Sequence, residues 1–316
     1  MAEAAPTFES DSDRLWNEIC NLGLQTYVAD LDTDGYTVIP PEIASPDGLA
    51  ERMLEACLDV AERRTGVRPD PGAGHADPAT PITAGDRNSP VGNTASMLLL
   101  ENPVFEESLM NPVLLAMVTH LCGYNVVMSS MSCSFKGPNK TTFQLHTDTR
   151  LPSPLPAQAL VCKGMYLLTD YSRDNGCTVF VPGSHKWCRN PAGGETLVRE
   201  AGNDRAVCVE APAGSLVVFH GNTWHGAVNR LAPGLRVSVH VLMVRPIIRT
   251  REDLIGRVPQ EVLDRNPARF AILAQQGLAG GTTAPADMAA NVARAQKYIS
   301  AFERESGVKL PVKDSS

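Results

Sequence analysis

The chain has 316 residues, 43% hydrophobic and 20% charged, the balance of a globular protein with ample core. Its formal net charge is −7, spread along the chain rather than blocked, so it lacks the basic footprint of a nucleic-acid binder. No run approaches the ~18 apolar residues of a membrane helix, and Met1-Ala2-Glu3-Ala4-Ala5-Pro6 lacks the start of a signal peptide. Eight cysteines with no Cys-x-x-Cys pair predict free thiols in a reduced, cytoplasmic protein.

Residues 1–125 read mostly as helices. Ser10 or Ser12 can cap a first helix carrying Leu15, Ile19, Leu22 and Leu24. Gly35 to Ile39 reads as a short strand stopped by Pro40-Pro41, and Ser45-Pro46 as a cap with proline at the first helical position. Leu49, Met53, Cys57, Leu58 and Ala61 then recur at helical spacing, a stripe expected to be core. The segment 68–93 is rich in proline and glycine and reads as a long loop, a candidate lid. Asn111-Pro112 through Leu121 gives another helix, ended near Gly123.

From 126 to 246 the pattern shortens into strands at Val126–Phe135, Thr141–Asp148, Leu160–Leu168, Thr178–Val181, Ala206–Val209, Ser215–His220 and Leu235–Val244. Turn residues such as Asp174-Asn175-Gly176 and Ala232-Pro233-Gly234 punctuate them. Short strands at this spacing predict a β-sandwich or jelly roll with flanking helices rather than a parallel sheet. Beyond Pro246, Ala268–Leu278 and Asp287–Arg304 read as amphipathic helices, with Phe270, Leu273, Val292, Ile299 and Phe302 buried, and these helices are expected to cover one sheet. Residues 1–316 therefore read as a single domain: a helical N-terminal region (1–125), a β core (126–246) and C-terminal helices (247–316).

Within the core lies His146-Thr147-Asp148, with His225 and Arg236 downstream. In an extended strand, residues two apart face the same way, so His146 and Asp148 can share one metal ion. A distant histidine completes a two-histidine, one-carboxylate set, the donor group of non-heme Fe(II) oxygenases, which leaves positions open. His220, His225 and His240 all lie on or beside predicted strands. His225 is preferred, because Trp224-His225-Gly226 ends a loop and can turn a ligand inward. Arg236 offers a cationic fork for the far carboxylate of a keto acid.

The chain resembles the phytanoyl-CoA dioxygenase family of Fe(II)- and 2-oxoglutarate-dependent oxygenases. The resemblance rests on Gln144-Leu145-His146-Thr147-Asp148, on Asp174-Asn175-Gly176-Cys177-Thr178 through Pro182-Gly183-Ser184-His185, on Gly214 through His225, and on Arg236-Val237-Ser238. It implies a double-stranded β-helix (a cupin-like jelly roll) and a dioxygenase that takes Fe(II), 2-oxoglutarate and O2. Its metal ligands would be His146, Asp148 and His225, with Arg236 on the distal carboxylate. Ser238, Thr178 and Gln144 are further cosubstrate contacts on the same ground, although relatives that use a glutamine place it where Phe143 stands here. A carboxylate at 148, where related halogenases carry a small residue, implies oxygenation of the substrate with release of succinate and CO2. His185 reads as a turn residue.

The expected partner is a small, lipophilic molecule, shaped in part by Leu151-Pro152-Ser153-Pro154-Leu155-Pro156. Arg87 and Lys140 alone do not make a site for the phosphates of CoA. Two rivals predict otherwise: a cupin-like metal enzyme without 2-oxoglutarate leaves Arg236 idle, and a non-catalytic β-sandwich binding protein holds no iron. The oligomeric state, a homodimer among the options, is not written in the sequence.

Overall fold

In the computed structural model, which describes residues 10–72, 93–138, 142–198, 203–280 and 284–310, the chain opens as the capping signal predicts. Ser10 Oγ accepts from the Asp13 N–H while the Asp13 carboxylate accepts from the Ser10 N–H, a capping box that starts α1 (Asp11–Asn21). Leu24 does not belong to that helix. It precedes an unexpected α2 (Gln25–Asp34), which ends at the left-handed Gly35 before β1 (Tyr36–Ile39). A single turn, α3 (Pro41–Ala44), follows.

Ser45-Pro46 does not start the next helix. Asp47 and Gly48 take left-handed φ values of 56° and 71° and reverse the chain first, so α4 runs from Leu49 to Thr65. Its predicted stripe is core: Met53, Cys57 and Ala61 are fully buried. β2 (Asn93–Ser96) and α5 (Pro103–Leu109) have no strong sequence signal. The Asn111 side chain then accepts from the Val113 N–H and caps α6 (Pro112–Cys122), which ends at Gly123. Most of the proposed lid, including Arg87, and Lys140 lie outside the described residues.

The strands follow as β3 (Val127–Lys136), β4 (Phe143–His146), β5 (Val161–Leu167), β6 (Thr178–Phe180), β7 (Val207–Cys208), β8 (Leu216–His220), β9 (His225–Ala227) and β10 (Arg236–Val244). Seven match predicted segments to within a few residues; β9 emerges where a loop end was expected. Among the described residues they form two antiparallel sheets, ordered β1-β8-β5-β10-β3-β2 and β4-β9-β6-β7, the jelly roll that the strand pattern predicts.

Alternation along the large sheet decides where polar groups go. On β10, Val237, Val239 and Val241 join the helix-covered core together with Met131, Cys133 and Phe135 of β3. The alternate residues, among them Arg236, His240, Ser132 and Ser134, face the space between the sheets. At one end that space is filled by an apolar cluster including Met165, Val179, Phe180, Val217, Phe219 and Trp224. At the other it opens as a cavity.

Helices α7 (Gln260–Arg265), α8 (Ala268–Leu273) and α9 (Pro285–Ser306) complete the fold. Phe270 and Leu273 of α8 pack into the large core. α9 does not cover the sheet as expected. Its Ile299 and Phe302 form a separate cluster with Ala268 and Ile272 of α8. Val292, predicted buried, is 46% exposed, because the first half of α9 runs past the core and only its second half finds a partner. All eight cysteines are free.

Candidate metal centre

His146 closes β4 directly opposite His225, which opens β9. Strand β9 must pass very close to β4: a Cβ on Gly226 would sit 2.3 Å from the Phe143 carbonyl oxygen, so glycine is required there. Between the paired positions Phe143↔Ala227 and His146↔His225, β4 carries one residue more than β9. This bulge breaks the simple alternation. Phe143 and His146 turn to the same side, their rings 4.4 Å apart, and both line the cavity. Gln144 is exposed and off the cavity. The family-based expectation that Gln144 contacts cosubstrate therefore fails on geometry, and Phe143 occupies the inward position.

Asp148 reaches the site by a different route from the one its spacing suggests. The strand stops at His146 and the chain bends at Asp148 and Thr149. The Asp148 N–H donates to the Gly221 carbonyl at 2.8 Å, which pins the turn to the segment leading into β9. The outcome is nevertheless convergence: one ligand atom each from His146, Asp148 and His225 lies within 4.8 Å of the others. His225 Nε2 is 3.5 Å from Asp148 Oδ2.

The hydrogen bonds orient both imidazoles alike. Nδ1 of His146 lies 2.9 Å from the Gln144 carbonyl and Nδ1 of His225 lies 2.9 Å from the Thr223 carbonyl. A carbonyl only accepts, so each Nδ1 carries the proton and each Nε2 keeps its lone pair. Burial, then the neighbouring His146, hold His225 down to about 3, and burial likewise lowers His146; both are neutral at pH 7, the form that binds metal. Burial would raise the Asp148 carboxyl, but Lys163, followed by His225 and His146, outweighs it and keeps the group ionised.

The Lys163 ammonium lies 2.5 Å from Asp148 Oδ2, yet that oxygen has no aligned hydrogen bond. Two neutral imidazoles and a buried carboxylate oxygen, held by a cation without directional bonding, are a donor set that fits one divalent ion.

Across the cavity stands Arg236, which is buried. Its Nη1 donates to the Gly176 carbonyl, its guanidinium lies 4.8 Å from the Tyr171 ring, and its Nε has no partner. Among the described residues no carboxylate pairs with it. Lys136, its cross-strand neighbour, donates to the Val228 carbonyl at 2.6 Å. Burial, then Arg236, lower Lys136 to about 6.

Thr178 lines the cavity from β6. Ser238 is fully buried behind it, 3.0 Å from His240 Nε2. His240, read as a bystander, lines the cavity itself. His220 does not: its Nδ1 accepts from the Asn222 N–H at 3.0 Å and its ring packs on His185 at 5.4 Å. His185, read as a turn residue, lies in a short 3-10 helix (Ser184–Trp187) just after the turn, wedged against Gly35, where a Cβ would lie 2.4 Å from its ring.

Sequence reasoning missed Lys163, Arg150 and Arg251, all of which line the cavity. Lys163 had a signal: it shares strand parity with Met165 and Leu167, which are buried between the sheets, so a charge there implies a charged interior. The two arginines sit in loops and had none.

The phytanoyl-CoA dioxygenase profile matches residues 31–238, about two thirds of the chain. The chain belongs to the phytanoyl-CoA dioxygenase family. Among curated relatives, dioxygenase af480 of Aspergillus fumigatus is 30% identical over 122 residues, 38% of each chain. This chain thus spans well under half the length of that relative. Two solved structures share the fold. One is HygX from Streptomyces hygroscopicus with nickel and 2-oxoglutarate bound, with TM-score 0.53, 16% identity, and coverage of 72% of this chain and 88% of that one. The other is the epimerase SnoN with Fe3+, alpha ketoglutarate and nogalamycin RO, with TM-score 0.52, 19% identity, and coverage of 76% and 93%. At these identities the likeness establishes the architecture. No helix among the described residues is long and apolar enough to cross a membrane.

Proposed function

We propose that this protein is an Fe(II)- and 2-oxoglutarate-dependent dioxygenase that hydroxylates, or otherwise oxidises, a small organic substrate, with residues 1–316 acting as one oxygenase unit. The observation that carries the reading is the convergence of His146, Asp148 and His225 in the same cavity as a buried arginine that has no carboxylate partner among the described residues. Family membership and the metal and 2-oxoglutarate in HygX support it.

On this reading His146 Nε2, Asp148 and His225 Nε2 hold the iron, and Arg236 receives the distal carboxylate of the keto acid. Thr178 offers a hydroxyl to the same molecule. Ser238 acts through its bond to His240 and the shared β10 register. Bound iron and keto acid would supply the oxidising chemistry: one atom of O2 enters succinate as CO2 leaves, and the other enters the substrate C–H bond. The protein keeps Asp148 ionised and both imidazoles neutral, so no proton has to leave a ligand when a metal arrives. Phe143, Met165 and Phe219 wall the metal side, and exclusion of water there strengthens each charge contact.

The deciding experiment loads the protein with Fe(II) anaerobically, adds 2-oxoglutarate and O2, and measures succinate alongside an Asp148→Ala variant. Succinate that requires both iron and Asp148 is expected. Stoichiometric iron without succinate, together with 2-oxoglutarate binding that ignores Arg236→Gln, would transfer the protein to a metal enzyme that does not use the keto acid.

A further inference from the structure

The cavity carries more positive charge than iron and keto acid account for. Arg150, Lys163, Arg236 and Arg251 line it, with Asp148 as the sole carboxylate among the described lining residues, in a chain whose net charge is −7. Fe(II) and the 2-oxoglutarate dianion cancel one another, so the excess of three cations survives their binding. Clustered like charges repel unless a counter-charge arrives.

The surplus is concentrated at the mouth. A second cavity of about 310 Å³ adjoins the first, of about 210 Å³, and shares Asp148, Arg150, Leu242 and Arg251 with it. It adds a third arginine, Arg249, and the aliphatic side chains of Leu151, Val244, Ile247 and Ile248. Among the described residues none of these three arginines pairs with a carboxylate. Arg251 feels burial first, then Asp148, and then the repulsion of Arg150.

The backbone holds these groups in place. Arg150 adopts a left-handed φ of 51°, a conformation that a non-glycine residue keeps only where its surroundings impose it. The Arg251 N–H donates to the Ser129 carbonyl at 3.1 Å and to Ser129 Oγ at 3.0 Å. Next to it, the Glu252 carboxylate accepts from the Met97 N–H at 2.9 Å and the Met131 N–H at 3.2 Å, which ties the segment to the sheet. Ile247 is 83% exposed, an aliphatic side chain left on the rim beside the arginines.

We infer that the substrate is an amphiphilic organic anion, whose carboxylate or phosphate binds Arg150 and Arg251 at the cavity mouth while its aliphatic body lies on Leu151, Ile247 and Ile248. This rests on the oxygenase reading and gives its substrate a chemical class: a lipophilic body with an acidic end. The acidic group anchors the molecule, and the carbon to be oxidised faces His146, Asp148 and His225. Neutral lipids of equal length lack the anchor and bind weakly.

The test measures binding of octanoate, octyl phosphate and octanol to the full chain by calorimetry, with Ni(II) and 2-oxoglutarate present and again without them. At least one anion should bind about tenfold or more tighter than octanol, since a charge-assisted contact is worth that much. Arg150→Gln and Arg251→Gln should each weaken it by about tenfold, as should raising the salt to about 0.5 M, whereas Arg236→Gln should not. Tighter octanoate assigns a carboxylate, and tighter octyl phosphate a phosphate; either result supports the inference. Octanol binding equal to both anions would overturn it, and so would anion binding lost only in Arg236→Gln. Absence of succinate with mouth binding intact would instead sink the oxygenase reading, so the two failures are separable.

Discussion

The large sheet holds the long segments in its interior, five residues in β8, seven in β5, nine in β10 and ten in β3, with β3 and β10 paired along their length with one shift, and helices cover its outer face. The small sheet is assembled from segments of two to four residues and carries a bulge at its functional strand. The long sheet presents a row of polar groups to the cavity: the cations Arg236 and Lys163, the neutral imidazole of His240, and the hydroxyls of Ser130, Ser132 and Ser134. The short sheet presents His146 and His225, which are held by backbone carbonyls two residues back and by the close pass of Gly226. Stability and metal chemistry therefore sit on different sheets, and that separation can be probed by substitution.

The largest expected effect is His225→Ala on the small sheet. Loss of a ligand should lower iron affinity and succinate output about a hundredfold or more, beyond the 10–100-fold typical of residues that only orient ligands; bound iron per chain after gel filtration reads it. Under the large sheet, Phe270→Ala removes a fully buried ring and should cost about 3–5 kcal/mol of unfolding free energy, visible in urea titration, while iron still binds one per chain. If instead Phe270→Ala abolished metal binding at temperatures where the chain stays folded, the division between the sheets would be wrong.

Arg236→Gln crosses the boundary, because it belongs to the long sheet but serves the metal side. It should raise the KM for 2-oxoglutarate by about 10–100-fold, the worth of a lost charge-assisted contact, with iron stoichiometry unchanged.

The smallest effect concerns pH. Burial, then Lys163, hold His240 to about 3, and burial, then His185, hold His220 to about 4. The unfolded chain takes up these protons near the ordinary histidine value, about 6.5, whereas the folded protein does not. Stability should thus be flat above that value and fall as pH drops from about 6.5 towards 4, by no more than about 1.4 kcal/mol per pH unit for each histidine. His220→Gln should flatten the slope of unfolding free energy between pH 7 and 5; an unchanged slope would show that His220 protonates freely in the fold.

Some of the site is legible in one dimension. In β10, Val237, Val239 and Val241 alternate with Arg236, Ser238 and His240, and period-two order of this kind identifies a strand with one apolar and one polar face. The same order in β3, with Ser130, Ser132 and Ser134 between Met131, Cys133 and Phe135, identifies a strand but not its surroundings, since both faces of these strands are covered. Where sequence reading fails, the chain departs from regular geometry. The bulge in β4 exchanges Gln144 for Phe143, and left-handed Asp47 displaces a helix start from Pro46 to Leu49. In α9 the apolar position at Val292 has no neighbour to bury it.

By itself the sequence determined the run of short strands in the core, the donor types at 146, 148 and 225, and the cation at 236. Each depends on local periodicity or on the chemistry of one side chain. Only the tertiary structure decided that Asp148 arrives through a turn bonded to Gly221, that Lys163 balances its charge, and that Arg150 and Arg251 meet at the mouth. These are contacts between segments distant in the chain, and their electrostatics depend on burial, which arises only when the two sheets close on each other.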